Sequence, residues 1–371
     1  MPLFDPRPKI KEEDFFDMRE ELDAFRRYVT SSPMTLVLGL RRYGKTSLIL
    51  TGLNSIGAHY VYVDCRALPS GMFGVGDFAL LLARSINDFM RRCGGLRSVL
   101  ARLLRGVEGV TVDAFGVTIN LRRFRPQSLF EVLDCLGGLG EDVVLVVDEA
   151  QELRRMVKYR ADQLLAYVYD NLRNVRLVIS GSQVGLLFRL LRLGDPGAPL
   201  YGRPRSEVTL RRLSEDLSRE FLEAGFKEYG LSVSTALIDY VVERVDGIIG
   251  WLTYVGFKAV SSGSLSREVV DRVLREAASL ATEELRHFLS LRPGAEGRYL
   301  AILEAVAALG KATWSEILRY VEARVGRVPK PTLASFLNNL VDAGFLQKIK
   351  GGYVIPDPVL REALKKGVAP R

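Results

Sequence analysis

Gly39-Leu-Arg-Arg-Tyr-Gly44-Lys45-Thr46 is the stretch that decides how this chain folds. It fits the pattern G-x-x-x-x-G-K-[ST], and its flanks supply the context which that pattern needs. An apolar run, Thr35-Leu-Val-Leu38, reads as a strand entering the loop, and Ser47-Leu-Ile-Leu-Thr-Gly-Leu53 reads as a helix leaving it. Glycines let backbone N–H groups curl around phosphate oxygens, and the helix N-terminus adds partial positive charge. In such a loop Lys45 reaches the β- and γ-phosphates and the Thr46 hydroxyl faces Mg²⁺. The stretch therefore predicts a site for ATP or ADP with Mg²⁺, with Gly39, Gly44, Lys45 and Thr46 in contact with nucleotide or metal.

Working outward, Val143-Val-Leu-Val-Val147 is an apolar run that ends in Asp148-Glu149. A run apolar at every position fits a central parallel strand buried on both faces, and its carboxyl end is where α/β sheets bind ligands. Asp148 is expected to hold Mg²⁺, directly or through water, and Glu149 to orient or deprotonate an attacking water. A third strand, Leu177-Val-Ile-Ser180, ends in Gly181-Ser182-Gln183. Two readings of that ending stand together: small polar groups such as Ser182 sensing the γ-phosphate, or an N-cap for a helix at 184–193.

The rest of the first half alternates β-branched runs with helical patterns, as an α/β sheet does. Strands are expected at 34–38, 60–64, 143–148, 176–180 and 207–210, and a helix at 77–92. Another helix opens at Ser128 through a Ser128-x-x-Glu131 capping box. Residues 107–122 alternate around Asp113-Ala-Phe-Gly116 and read as a β-hairpin insertion. After Leu213 only helical spacing remains, as in Leu217, Phe221 and Ala224, until Arg292-Pro-Gly-Ala-Glu-Gly297 introduces a third unit. The expected organisation is an α/β P-loop NTPase parallel-sheet core over 1–213, a helical lid over 214–291 and a C-terminal winged helix over 292–371.

Composition excludes several classes. With 48% hydrophobic and 26% charged residues over 371 positions, the chain reads as globular rather than disordered. No apolar run reaches the ~18–20 residues of a membrane span, and the N-terminus has no signal-peptide core, so a cytoplasmic protein is expected. Three scattered cysteines and two histidines leave little material for a disulfide framework, a zinc site or a triad. The net charge of +8 suits an anionic partner, and 40 of the 52 basic residues are Arg, which contacts phosphate bidentately. Genomic base composition or adaptation to high temperature explains the Arg bias equally well; the scarcity of Asn and Gln points the same way.

These motifs, in this order, resemble the archaeal ATPase family of the STAND class, a branch of the AAA+-related P-loop ATPases. Phe15-Phe-Asp17-Met-Arg19-Glu20-Glu21-Leu22 resembles the family's F-x-D-R-E-x-E-L box, with Met18 displacing the Arg by one position. Gly39–Ser47 resembles G-x-R-R-x-G-K-T-S, Asp148-Glu149-Ala150-Gln151 resembles D-E-A-Q, and Ser180–Gln183 resembles S-G-S-x. Leu200-Tyr201-Gly202-Arg203 is similar to L-Y-G-R. The resemblance implies that Arg19 lies beside the adenine, that Arg41, Arg42 and Ser47 belong to the nucleotide loop, and that Arg203 offsets charge on the phosphoryl group. The family's lid motif G-G-x-P corresponds here to Gly247-Ile-Ile-Gly250, with Gly250 where the base-contacting Pro stands and Trp251 beside it.

In the last unit a helix is expected near 298–309, and Thr313-x-x-Glu316 opens a second. A third starts at Pro331, and a hairpin wing over 345–356 turns at Gly351-Gly352. Residues 295–371 hold twelve Lys and Arg against seven Asp and Glu. Lys330, Thr332, Ser335 and Asn339 are placed on the outer face of the third helix, and Lys348 and Lys350 on the wing, where duplex DNA would be read. Asp342 opposes that contact, and winged helices also bind proteins. The leading expectation is an ATP-hydrolysing switch that moves this module toward duplex DNA or a protein partner. The alternatives are an ATP-liganded DNA-binding regulator with little turnover, and a scaffold that assembles into an oligomer on tight ADP binding.

Overall fold

The computed structural model describes residues Met1–Gly367 and divides into two units. The first is built from 8–39 and 45–210, and the second from 1–7, 40–44 and the residues from 211 on.

The first unit begins with α1 (Arg19–Ser31), β1 (Met34–Leu38), α2 (Lys45–Ser55), β2 (His59–Asp64), α3 (Val75–Arg92) and α4 (Gly94–Leu104). A hairpin of β3 (Val110–Val112) and β4 (Val117–Ile119) follows, then α5 (Ser128–Gly137), β5 (Val143–Asp148), α6 (Ala161–Asn171), β6 (Val175–Gly181), α7 (Val184–Leu191) and β7 (Ser206–Thr209). Five parallel strands form one sheet in the order β2-β5-β6-β1-β7. All residues of β1 and β5 are buried, Thr35 and Asp148 included, as expected of largely apolar strands covered on both faces. β1 and β5 thus deliver the phosphate loop and the Asp-Glu pair to the same, carboxyl edge of the sheet.

The short elements differ from expectation in instructive ways. Ser128 forms no capping box; it lies inside the helix, buried, behind a Gln127 cap that makes no side-chain bond. The helix opens at Ser128 as expected, but Ser128 is its first helical residue rather than its cap, with turn hydrogen bonds to Arg125, Pro126 and Gln127 at its start. The Gly181-Ser182 cap is likewise absent: α7 is capped at Gln183 without a side-chain bond. Helices α4 and α6 were not foreseen in the sequence.

The second unit contains α8 (Glu215–Glu228), α9 (Thr235–Val245), α10 (Ile249–Ser261) and the long α11 (Arg267–Ser290). It continues with α12 (Glu296–Leu309), α13 (Trp314–Val325), α14 (Lys330–Asp342), the hairpin β8 (Gln347–Ile349) and β9 (Gly352–Val354), and α15 (Pro358–Lys365). Here the capping box does form: Thr313 N–H donates to Glu316 at 2.8 Å, and Glu316 N–H donates to Thr313 Oγ1 at 3.3 Å. The N-terminal Phe4 is fully buried against Phe221 and Phe226, where Gly225 and Gly256 leave room for its ring. On α14, Asn339 is turned inward and donates to the Tyr299 hydroxyl at 2.9 Å. Asn339 is half-buried beside the buried Leu333, Leu337 and Leu340, and Asn338 takes the exposed place instead. Among the described residues no helix is long and apolar enough to cross a membrane.

Candidate nucleotide site

The loop after β1 needs left-handed backbone at two glycines, Gly39 (φ 150) and Gly44 (φ 84), and imposes it on Arg42 (φ 66). Lys45 and Thr46 open α2 on the sheet side. Lys45 is 5% exposed and its ammonium lies 3.9 Å from Glu149 Oε1. The Thr46 hydroxyl donates to Asp148 Oδ2 at 2.9 Å.

Asp148 is fully buried and saturated with donors. Besides Thr46 it accepts from the hydroxyls of Tyr62 and Ser180, and Arg66 stands 3.9 Å away. A buried carboxylate left short of such partners costs roughly 1–3 kcal/mol or more for each missing bond. Tyr62 is held well above the usual phenol range by burial and by the adjacent Asp148 charge, so it stays a donor.

Glu149 takes a left-handed backbone (φ 51), sparsely populated for a side-chain-bearing residue. Its carboxylate is fixed from three directions. Ser182 Oγ donates to Oε2 at 2.5 Å, Gln151 Nε2 donates to the same oxygen at 2.5 Å, and Lys45 faces the other oxygen. Burial pushes the Glu149 carboxyl up, but the Lys45 charge and the bonds from Ser182 and Gln151 outweigh it, leaving it below the ordinary range and ionised.

Lys45, Thr46, Asp148, Glu149 and Ser182 therefore converge at one sheet edge. Ser47 sits a step away, its hydroxyl accepting from the Lys9 amide at 3.1 Å. Arg203 is not with them: it donates to Asp170 at 2.7 Å and faces the Tyr169 ring. Arg19 is exposed in the first turn of α1. Tyr62 and Arg66 were missed by sequence reasoning. The register that pairs Asp64 with Asp148 is the signal that would have found them, since it puts the end of β2 level with the Asp-Glu pair.

The loop tip, residues 40–44, belongs to the second unit. Arg41 donates to Glu284 at 2.8 Å, and Arg42 reaches the same carboxylate with both terminal nitrogens. The Arg42 guanidinium stacks 3.9 Å from the centre of the Trp251 ring. Trp251 is core, 1% exposed, and its indole N–H donates to Asp357 at 3.1 Å. Gly250 N–H donates to Arg42 O at 2.9 Å, and a Cβ on Gly250 would lie only 2.6 Å from Arg42 Cβ.

Comparison with solved structures agrees with this architecture. The chain is 32% identical to the Walker-type ATPase PABY2304 of Pyrococcus abyssi, over 98% of this chain and 99% of that one, with a TM-score of 0.81. The chain belongs to this family of Walker-type ATPases. At 16% identity it shares its fold with the Aeropyrum pernix ORC2 protein, solved in ADPNP–ADP complexes (TM-score 0.60, covering 99% and 96% of the two chains). It also shares the fold of Cdc6p from Pyrobaculum aerophilum, at 15% identity (TM-score 0.51, 99% and 98% covered). No protein-family model and no curated protein matches the chain. Within this Walker-type ATPase Lys45, Thr46 and the Asp148-Glu149 pair meet at one edge of a five-stranded parallel sheet.

Proposed function

We propose that this chain is a STAND-class ATPase: it hydrolyses ATP at the phosphate loop and uses nucleotide state to re-pose its C-terminal module, a winged helix at 292–371 beyond a helical lid at 214–291. Thr46 Oγ1 and Asp148 Oδ2 are hard oxygens that suit Mg²⁺, which takes few protein ligands beside substrate phosphates and water. Bound there, Mg²⁺ would neutralise charge on the β- and γ-phosphate oxygens. Lys45 binds those phosphates. Glu149, kept ionised, orients the attacking water and accepts its proton. Ser182 acts as a positioning residue that aims Glu149. Arg203 would have to leave Asp170 before its guanidinium could reach a phosphoryl group.

The observation that carries the switch is the pairing of Arg42 with Trp251, Glu284 and Asp357. Through it the tip of the phosphate loop is built into the same unit as α10, α11 and the cap of α15. A phosphate that reorders the loop backbone changes the seat of Arg42, and with it the packing around Trp251. Two measurements test this. The purified chain should hydrolyse ATP and Lys45→Ala should not; equal rates would sink the site. In a Trp314→Phe background, ATP should alter Trp251 fluorescence, and an unchanged spectrum at saturation would remove the coupling.

A second reading, an ATP-liganded regulator bound to duplex DNA, is supported by the exposure of Lys330, Ser335, Lys348 and Lys350 on α14 and the wing. Salt-dependent duplex binding lost in Lys348→Ala/Lys350→Ala, together with negligible turnover, would favour it.

A further inference from the structure

Residues 91–125 contain eight Arg and two acidic residues, no Lys, and a phenylalanine held almost wholly in water. Phe115 is 96% exposed at the tip of the β3–β4 hairpin. The tip is rigidly built. Asp113 Oδ1 accepts from the amides of Phe115 (2.8 Å) and Gly116 (3.1 Å), closing the turn. Asn87 of α3 clasps Val117 on both sides, accepting from its amide at 2.7 Å and donating to its carbonyl at 2.8 Å. Gly116 (φ 135) is required there, since a Cβ would lie 2.4 Å from Asn87 Oδ1. Val117 is buried against the core, so the hairpin is anchored while its aromatic end is displayed.

The charge around it is only partly compensated: Arg91 pairs with Asp88 and Arg125 with Glu108. Arg97 donates to the Ala114 carbonyl, which places its guanidinium at the hairpin turn. Arg102, Arg105, Arg122 and Arg123 are exposed and have no ion pair among the described residues. The Asp113 carboxylate faces the turn amides, and Glu108 pairs with Arg125 at 3.6 Å. Neighbouring α5 adds Glu131 and Asp134, and the Asp134 carboxylate accepts from Tyr167. A fold does not need exposed arginines without ion pairs on α4 and at the base of a hairpin whose tip displays a solvated ring. Phosphates match the arginines, and a flat unstacked base matches the ring.

We propose that the 107–122 hairpin and the adjoining α4 form a binding surface for single-stranded nucleic acid, with Arg102, Arg105, Arg122 and Arg123 on phosphates and Phe115 stacked on a base. This surface belongs to the sheet-containing unit, and the proposed winged helix to the other. Single strands are favoured because a base inside a duplex has no free face for Phe115. An acidic protein would use the arginines but would not need the ring.

The test is fluorescence anisotropy of the full-length chain with labelled oligothymidylate, oligouridylate and a duplex, across a salt series. Wild type should bind both single strands more tightly than the duplex; the DNA and RNA arms show which sugar is preferred. Arg105→Gln/Arg122→Gln/Arg123→Gln should weaken single-strand binding at least tenfold and lower the log–log salt slope by about 2. Phe115→Ser should weaken it about tenfold with the salt slope unchanged. Both variants should keep wild-type ATP turnover and melting temperature, since every substituted side chain is exposed. Lys348→Ala/Lys350→Ala should leave single-strand binding intact. The proposal is overturned by absence of single-strand binding at low salt, by wild-type binding in the Phe115 or triple-Arg variant, or by loss of binding only in the Lys348/Lys350 variant.

Discussion

The two ends of the phosphate loop are held by different physics. At the Lys45-Thr46 end the partners are buried, short-range and polar: Asp148 has three hydroxyl donors and Glu149 has Ser182, Gln151 and Lys45. At the Arg41-Arg42 end the partners are an indole face and a half-exposed carboxylate, with side chains 20–33% accessible. A buried polar network has one good arrangement, because each broken bond leaves an unsatisfied group away from water. A guanidinium stacked near solvent can slide or exchange its carboxylate at small cost. The first end suits chemistry that needs fixed atoms, the second the movable joint that the proposed switch calls for.

The sharpest way to break this contrast is Glu149→Gln. With nucleotide affinity preserved, it should lower kcat by roughly 10²–10⁴-fold, the range spanned by a general base. A smaller loss, with an unchanged pH profile, would mean that Glu149 only shapes the site. Ser182→Ala should cost about 10–100-fold, since it removes one bond to a charged group. It should also raise the apparent pKa on the acid limb of kcat, because a bond that lowers the Glu149 pKa is gone.

Substitutions at the tip should act more weakly on chemistry. Gly250→Val forces a side chain against Arg42 and should cost about 1–3 kcal/mol of stability, seen as a lower melting temperature with kcat within a few-fold of wild type. A kcat loss as deep as that of Glu149→Gln would erase the distinction between the two ends. Asp357 offers the smallest effect. Burial raises its pKa, with Arg42 and Trp251 only partly opposing. Its folded-state pKa therefore lies above the unfolded one, so its contribution is fully present below the ordinary Asp range and fades as pH rises through the folded value. Asp357→Asn keeps an oxygen for the α15 cap and should flatten that slope by a few tenths of a kcal/mol, measured by denaturation across mildly acidic pH.

The parts of the site that could be read in advance are those carried by contiguous residues. The loop needs Gly44 beside Lys45 and Thr46, and the strand needs an unbroken apolar run before Asp148, so each motif announces itself within a few positions. Caps were read less well. Thr313-x-x-Glu316 closes its box, whereas Ser128-x-x-Glu131 does not, because Ser128 is buried as the first helical residue and Gln127 takes the cap position. Asn339 departs from the outer face expected for it for a similar reason: one helical position separates an exposed side chain from one that meets Tyr299.

What the sequence determined by itself is the phosphate loop, the apolar parallel strands and the Asp148-Glu149 pair, since local backbone demands and burial on two faces leave few other residues acceptable. Only the tertiary structure decided which polar groups those residues meet. Tyr62, Ser180 and Ser182 reach the carboxylates through strand order and register, and Trp251, Glu284 and Asp357 receive the loop arginines from more than 200 positions away. Such partners leave no local trace, because a hydrogen bond or stacked ring depends on distance in space, which chain separation does not encode.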